Sequence, residues 1–131
     1  MTGPGVRLGI DLVHVGRLRA AIEENPRFEE AVFTQGERAY CRKRADPFPH
    51  FAARFAAKEA TLKALGRGLS PDGPDAALLE IEVVRGEGPP RLRLFGRILR
   101  LAERLGPYEP ALSLSHSEDL AVASVVLSRR T

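Results

Sequence analysis

The sequence predicts an α+β fold in which helices pack on a small antiparallel sheet, and three observations carry that expectation. Apolar residues recur at helical spacing through the first half, at Val15, Leu18 and Ile22 and again from Phe51 to Leu65. Strict alternation appears only later, in 79–85 and 91–95. Two further strand-like runs, 111–115 and 120–127, flank the short polar turn His116-Ser117-Glu118-Asp119, so they pair as neighbours rather than through a helical crossover.

Each element has its own signal. Val6 to Leu12 reads as a short buried strand broken by Gly9. The helix of Val15, Leu18 and Ile22 stops at Asn25-Pro26. Thr34 followed three residues on by Glu37 has the form of a capping box, which predicts a second helix over 35–44. Pro47 and Pro49 mark a loop, and a third helix is expected from His50 to Leu65, ended by Gly66 and Gly68. Residues 66–74, rich in Gly and Pro, are expected to form the most mobile loop. The turn 86–90 joins its two flanking strands into a hairpin. Ile98, Leu101, Ala102 and Leu105 form a last amphipathic helix, closed by Gly106-Pro107.

With 131 residues and 44% hydrophobic content, the chain is expected to form one domain, 1–131. There is no apolar run long enough to span a bilayer, so no membrane role is expected. No signal-like start is present, and the single cysteine, Cys41, reads as structural, which together favour the cytoplasm. The net charge is only +3, but Arg38, Arg42, Lys43 and Arg44 cluster, with Arg17, Arg19 and Arg27 upstream. Such residues form either solvated helix faces or a patch for an acidic partner. Aromatic content of 6% argues against a base-stacking nucleic-acid surface.

The segment Phe55-Ala-Ala-Lys58-Glu59-Ala60-Thr61-Leu62-Lys63 concentrates charge on an otherwise apolar helix. Wound at 100° per residue, Phe51, Phe55, Leu62 and Leu65 form a core stripe. Glu59 and Lys63 lie together on its flank, beside Ala52 and Ala56, where small residues leave room for a ligand. A surface ion pair would contribute about 0.3–0.5 kcal/mol and would explain Glu59 and Lys63. It would not explain Lys58, which falls in the apolar stripe. Asp11, at the end of an apolar strand in Gly9-Ile10-Asp11, reads either as a helix N-cap or as a ligand that holds Mg²⁺ together with Glu59. Ser115 and His116 are adjacent on a strand and so point to opposite faces, which argues against a Ser–His nucleophile pair.

Together, Gly9-Ile10-Asp11, the Phe55–Lys63 segment and Ser113-Leu114-Ser115-His116 resemble the motifs of the 4′-phosphopantetheinyl transferase superfamily, in its short bacterial holo-acyl-carrier-protein synthase type. Arg17, six residues after Asp11, also matches, and the resemblance runs from Val6 to Leu127. It implies transfer of the phosphopantetheine arm of coenzyme A to a serine of an acidic apo acyl carrier protein. Adenosine 3′,5′-bisphosphate would be released. Asp11 and Glu59 would bind Mg²⁺, and Lys63 would neutralise the phosphates and could protonate the leaving group. Lys58 would be a second phosphate contact, Arg54 and His116 would grip the adenosine 3′-phosphate end, and Gly66 would line the cofactor cleft. Arg17, Arg19 and Arg27 would dock the carrier.

A homotrimer is implied, with sites at subunit interfaces; Asp11 and His116 could serve Glu59 of a neighbour, and which chain supplies each site residue stays open. Fatty-acid, polyketide and peptide-synthesis carriers all stay open, as does the general base. Two departures stand out: His14 occupies a position where short-type members often carry an acidic residue, and Phe55 replaces a Trp. The rival reading is a non-enzymatic basic module for nucleic acid or another acidic partner, which accounts for the arginines but not for Asp11 with Glu59.

Overall fold

A computed structural model describes residues 3–67 and 76–131. Strand β1, Val6–His14, leads directly into helix α1, Val15–Glu24. Three helices follow: α2, Pro26–Val32; α3, Gln35–Arg42; and α4, Phe48–Ala64. A 3₁₀ turn, Ala76–Glu80, precedes the hairpin of β2, Ile81–Val84, and β3, Arg91–Leu94. Helix α5, Gly96–Leu105, then leads to a second hairpin, β4, Tyr108–His116, and β5, Leu120–Arg129. The loop expected to be most mobile lies, from residue 68 to 74, outside the described residues.

The main sheet is antiparallel with strand order β1-β5-β4, and β2 and β3 form a separate pair. Helix α4 lies across one face of the main sheet. Along β5, Ala121, Ala123, Val125 and Leu127 alternate into that face and are completely buried. The register pairs Gly9 with Val125 and Asp11 with Ala123, so Asp11 sits on the same inward face among small apolar residues.

Gly9 sets the distance between β1 and α4. A Cβ on Gly9 would come within 1.8 Å of the Ala60 carbonyl oxygen, closer than any side chain permits. The missing side chain lets the helix backbone rest on the strand. Gly9 therefore does not break β1, as the sequence suggested; the strand runs unbroken for nine residues. Nor is β1 buried on both sides. Val6, Leu8, Ile10 and Leu12 are 54–69% exposed on its outer face.

Helix α4 is enclosed on nearly all sides, with twelve of its seventeen residues buried, which is the pattern of a central helix rather than of a one-sided amphipathic one. Of the stripe expected from the sequence, Phe51, Leu62 and Leu65 are buried, whereas Phe55 is not, and burial extends round the flank. Ala52 and Ala56 are 0% exposed, so they serve close packing and leave no room for a ligand. Phe55 is only partly buried and stands on the open line with Glu59 and Lys63, its ring 6.2 Å from that of Phe28.

The other elements form close to where local chemistry placed them. The Thr34–Glu37 capping box is present in both directions, at 2.9 and 3.2 Å. Helix α2 was not foreseen. Pro26 was read as a stop, yet it occupies the first turn of a new helix, with the Asn25 side chain accepting a hydrogen bond from the Arg27 amide.

Candidate active site

Asp11, Glu59 and Lys63 meet where β1 crosses α4. Asp11 is 8% exposed. Lys63 Nζ donates to Asp11 Oδ1 at 2.8 Å and to the Ile10 carbonyl at 3.2 Å. The other carboxylate oxygen, Asp11 Oδ2, is buried without a hydrogen-bond partner. The Glu59 carboxyl is pushed up to about 7, first by burial and then by the neighbouring Asp11 carboxylate, while Lys63 opposes the rise. The Lys63 ammonium is raised, chiefly by its hydrogen bond to Asp11.

These observations describe a paired carboxylate site short of positive charge. One oxygen is buried and orphaned, and one carboxyl group keeps its proton up to about 7 because burial, and then a second negative charge beside it, disfavour ionisation. A hard divalent cation would relieve both. The donor set is two carboxylates, and among the described residues no group of three or more His, Cys, Asp or Glu converges. Two carboxylates suit Mg²⁺, which keeps several waters or phosphate oxygens in its shell.

Asp11 and Glu59 come together within one chain, although they stand 48 positions apart in sequence. This corrects the expectation that Asp11 would serve Glu59 of a neighbouring subunit. Two cavities adjoin the pair. One, of about 560 Å³, is lined by Ile10, Asp11, Leu12, Lys63 and Val122. The other, of about 330 Å³, includes His14, Arg17, Phe28, Phe55 and Glu59 in its lining. His14, the departure from the family pattern, thus borders the same hollow as Glu59.

Lys58 requires a correction. It is 0% exposed, and its ammonium pairs with the equally buried Glu37 at 2.8 Å. It also donates to the carbonyls of Leu78, at 2.7 Å, and Ile81. With its donors engaged inside the core, it cannot contact a phosphate at the surface. Burial lowers the Lys58 ammonium from its ordinary range, and Glu37 opposes that shift. Wound on a helix, Lys58 did look out of place; the partner that accommodates it belongs to α3 and was recognised only as a cap.

Arg54 and His116 are brought to one neighbourhood by His50. The His50 and His116 rings are 4.9 Å apart, edge to face. Arg54 donates to the His50 carbonyl at 3.3 Å, and its guanidinium lies 4.2 Å from the centre of the Tyr40 ring. Arg54 is 3% exposed, and its Nε has no partner. His50 is lowered from its usual range by burial, then by His116 and Arg54. His50 and Tyr40 escaped notice in the sequence; the signal for His50 was its place one turn before Arg54 on the same helix face.

Strand parity explains the Ser-Leu-Ser-His segment. Leu112, Leu114 and His116 share the face that pairs inward with Val125, Ala123 and Ala121, whereas Ser113 and Ser115 are exposed. Gly66 closes α4 in the left-handed region, at φ 77°, which favours glycine there for backbone reasons alone.

The arginines divide into two groups. Arg17 is exposed and borders the Glu59 cavity, and Arg27 is exposed at the start of α2. Arg19 is paired with Asp46 at 3.2 Å, while Arg38 and Arg42 both bind Glu29. The basic cluster of α3 is therefore largely neutralised from within. Cys41 is buried and its thiol is pushed up to about 12 by burial, which makes it chemically quiet.

Comparison with known proteins places this geometry in context. The sequence pattern of the 4′-phosphopantetheinyl transferase superfamily matches residues 7–124. A holo-[acyl-carrier-protein] synthase from Anaeromyxobacter sp. (strain K) is 44% identical, covering 92% of this chain and 93% of its own. One from Syntrophotalea carbinolica is 46% identical, covering 91% and 92%. Among solved structures, the ACPS–CoA complex of Chronobacterium ammoniagenes superposes with a TM-score of 0.80 at 33% identity, covering 98% of this chain and 100% of its own. The Bacillus anthracis holo-(acyl-carrier-protein) synthase in complex with CoA (3′,5′-ADP) gives 0.73 at 31% identity, covering 95% and 96%.

Proposed function

Since the chain belongs to the 4′-phosphopantetheinyl transferase superfamily, we propose that it transfers the phosphopantetheine arm of coenzyme A to a serine of an apo acyl carrier protein. One domain, 1–131, would carry the activity. The observation that carries this reading is the pairing of buried Asp11 with half-buried Glu59, with an orphaned oxygen and Lys63 beside it.

Asp11 and Glu59 would hold Mg²⁺, with water and the pyrophosphate completing its shell. Bound there, the ion would withdraw charge from the pyrophosphate and make its phosphorus more open to attack. The serine oxygen forms a new bond to the phosphorus of the pantetheine phosphate, and the bond to the adenosine-side phosphate breaks. Adenosine 3′,5′-bisphosphate leaves. Phosphoryl transfer asks a protein chiefly for positioning and charge stabilisation, so no nucleophile of its own is needed. Lys63, anchored on Asp11, can turn part of its three-donor head to the departing phosphate. The serine proton passes to a carboxylate of the pair, directly or through one water.

Arg54 would meet the 3′-phosphate of coenzyme A, with His116 beside it. Its unpartnered Nε supports that role, since a buried donor without an acceptor is unfavourable until an anion arrives. Gly66 would border the cofactor cleft. Arg17 would face the acidic carrier, with Arg19 and Arg27 nearby on the same helical region; Arg19 would first have to share or release Asp46. Self-association, as a trimer, is supported by the outer face of β1. Four exposed aliphatic residues lie there on an edge strand, and two of them, Ile10 and Leu12, border the cavity of Asp11 and Lys63.

The test is to incubate the protein with coenzyme A, Mg²⁺ and an acidic apo carrier, and then to weigh the carrier. A gain of one phosphopantetheine is expected. No gain with fatty-acid, polyketide or peptide-synthesis carriers would overturn the reading.

A further inference from the structure

Several surface guanidiniums of this chain have a partner: Arg19 has Asp46, Arg38 and Arg42 have Glu29, Arg130 has Glu103, and Arg93 has the ring of Phe95. Others, such as Arg17, Arg27, Arg85 and Arg91, have no acidic partner among the described residues, and one group of arginines is gathered at a single place. Arg67, Arg97, Arg100 and Arg104, with Leu101, line a single hollow of about 340 Å³. Three of these arginines lie on one face of α5, spaced three and four apart. The fourth arrives from a different element, just beyond Gly66 at the end of α4. Helix α5 is held by Ile98 and Ala102, so the arginine face takes no part in the core.

Charge is concentrated there. Of the four, only Arg97 approaches a carboxylate among the described residues, Glu80, at 3.8 Å. Among the described residues, Arg67, Arg100 and Arg104 have no acidic partner. Four cations gather here against one nearby carboxylate among the described residues. Like charges gathered at one hollow repel one another, and a multivalent anion would remove that repulsion. Planar guanidinium forks match phosphate oxygens in pairs. The volume is at the lower end of small-molecule sites, enough for a short run of phosphates. None of the lining residues borders the cavities of Asp11, Glu59 and Lys63.

We propose that this hollow binds a compact polyphosphate, meaning two or more linked phosphates, either inorganic or carried by a nucleoside. It is a second anion site, which shares no lining residue with the cavities of Asp11, Glu59 and Lys63.

Equilibrium dialysis of the intact protein against inorganic triphosphate tests this, with and without saturating coenzyme A. A site for triphosphate that coenzyme A does not displace is expected. The double substitution Arg100→Gln with Arg104→Gln alters exposed side chains only, and should weaken that site by about tenfold or more. ATP in place of triphosphate separates the sources: equal affinity assigns the site to phosphates alone, and tighter binding adds a nucleoside contact. Loss of all triphosphate binding on adding coenzyme A, or unchanged binding in the double variant, would overturn the proposal. So would affinity for duplex DNA or anionic vesicles without affinity for triphosphate. Failure of coenzyme A itself to bind would count against the transferase reading, not against this site.

Discussion

Lys58 and Glu37 form an ion pair sealed from solvent on both sides, 2.8 Å apart. The pair joins α4 to α3, and its remaining hydrogen bonds reach further. Glu37 accepts from the Val83 amide at 2.8 Å, and Lys58 donates to the carbonyls of Leu78 and Ile81. One pair therefore ties both helices to the 3₁₀ turn and β2. Because Glu59 is the next residue on α4, the same contacts fix how the helix is turned toward β1. Lys58→Met should destabilise the protein by about 3–5 kcal/mol, since it strands Glu37 as an unpaired buried charge. Adding Glu37→Gln should restore part of that loss. Urea unfolding of the wild type and the two variants measures it, and coenzyme A affinity of the folded single variant should change little. A large loss of affinity without loss of stability would return Lys58 to the phosphates.

Glu59 links pH to stability. Its folded carboxyl binds a proton up to about 7, against an ordinary 4.5. The folded state therefore holds more protons than the unfolded state between those values, so this group's contribution to stability is fully present below 4.5 and is lost as pH rises through 7. Without metal, the melting temperature should fall by roughly 2–5 °C across that window, less in Glu59→Gln. Mg²⁺ competes with the proton and should stabilise the protein more at pH 8 than at pH 6. Thermal melts at several pH values, with and without Mg²⁺, decide this; equal Mg²⁺ effects in wild type and Glu59→Gln would remove Glu59 from the metal site.

Gly9→Ala tests the approach of strand to helix. The new methyl group meets the backbone oxygen of Ala60, which cannot swing aside as a side chain would. A loss of about 1–3 kcal/mol or more is expected in chemical unfolding. Asp11 should also move away from Glu59, so stabilisation by Mg²⁺ should shrink in the same variant. A fully stable variant with an unchanged Mg²⁺ response would show that the contact does not set the site.

Arg54→Gln should weaken coenzyme A binding by about tenfold or more through loss of a charge-assisted contact. Dephospho-coenzyme A, which lacks the 3′-phosphate, should bind both forms alike. Calorimetry with the two ligands reads the difference, and an equal loss for both would place Arg54 away from the 3′-phosphate.

Arg17→Glu should weaken the carrier more than coenzyme A, and the difference should grow at low salt, where exposed charges are least screened. Surface plasmon resonance at two ionic strengths measures it. Equal losses for both ligands would remove Arg17 from the docking face.

The catalytic side of the fold was legible where one segment carries its own signal. Glu59 and Lys63 are one turn apart on a helix, and the capping box at Thr34 marks itself in four residues. Three things were hidden because they depend on what lies opposite. Lys58 could be seen as misplaced, but its partner comes from another helix. Phe55 looks like core by periodicity, yet it lies on the open line of α4, while Ala52 and Ala56, on the flank where periodicity predicts openness, are covered. The apolar residues of β1 read as buried, since sequence cannot distinguish a face turned to the interior from one turned outward.

That last feature has a consequence for how the protein behaves when scarce. A single strand presents Asp11 on one side and Val6, Leu8, Ile10 and Leu12 on the other. Any partner copy that covers the outer side also steadies the strand that carries the carboxylate. If copies associate through this face as proposed, turnover per chain should fall on dilution.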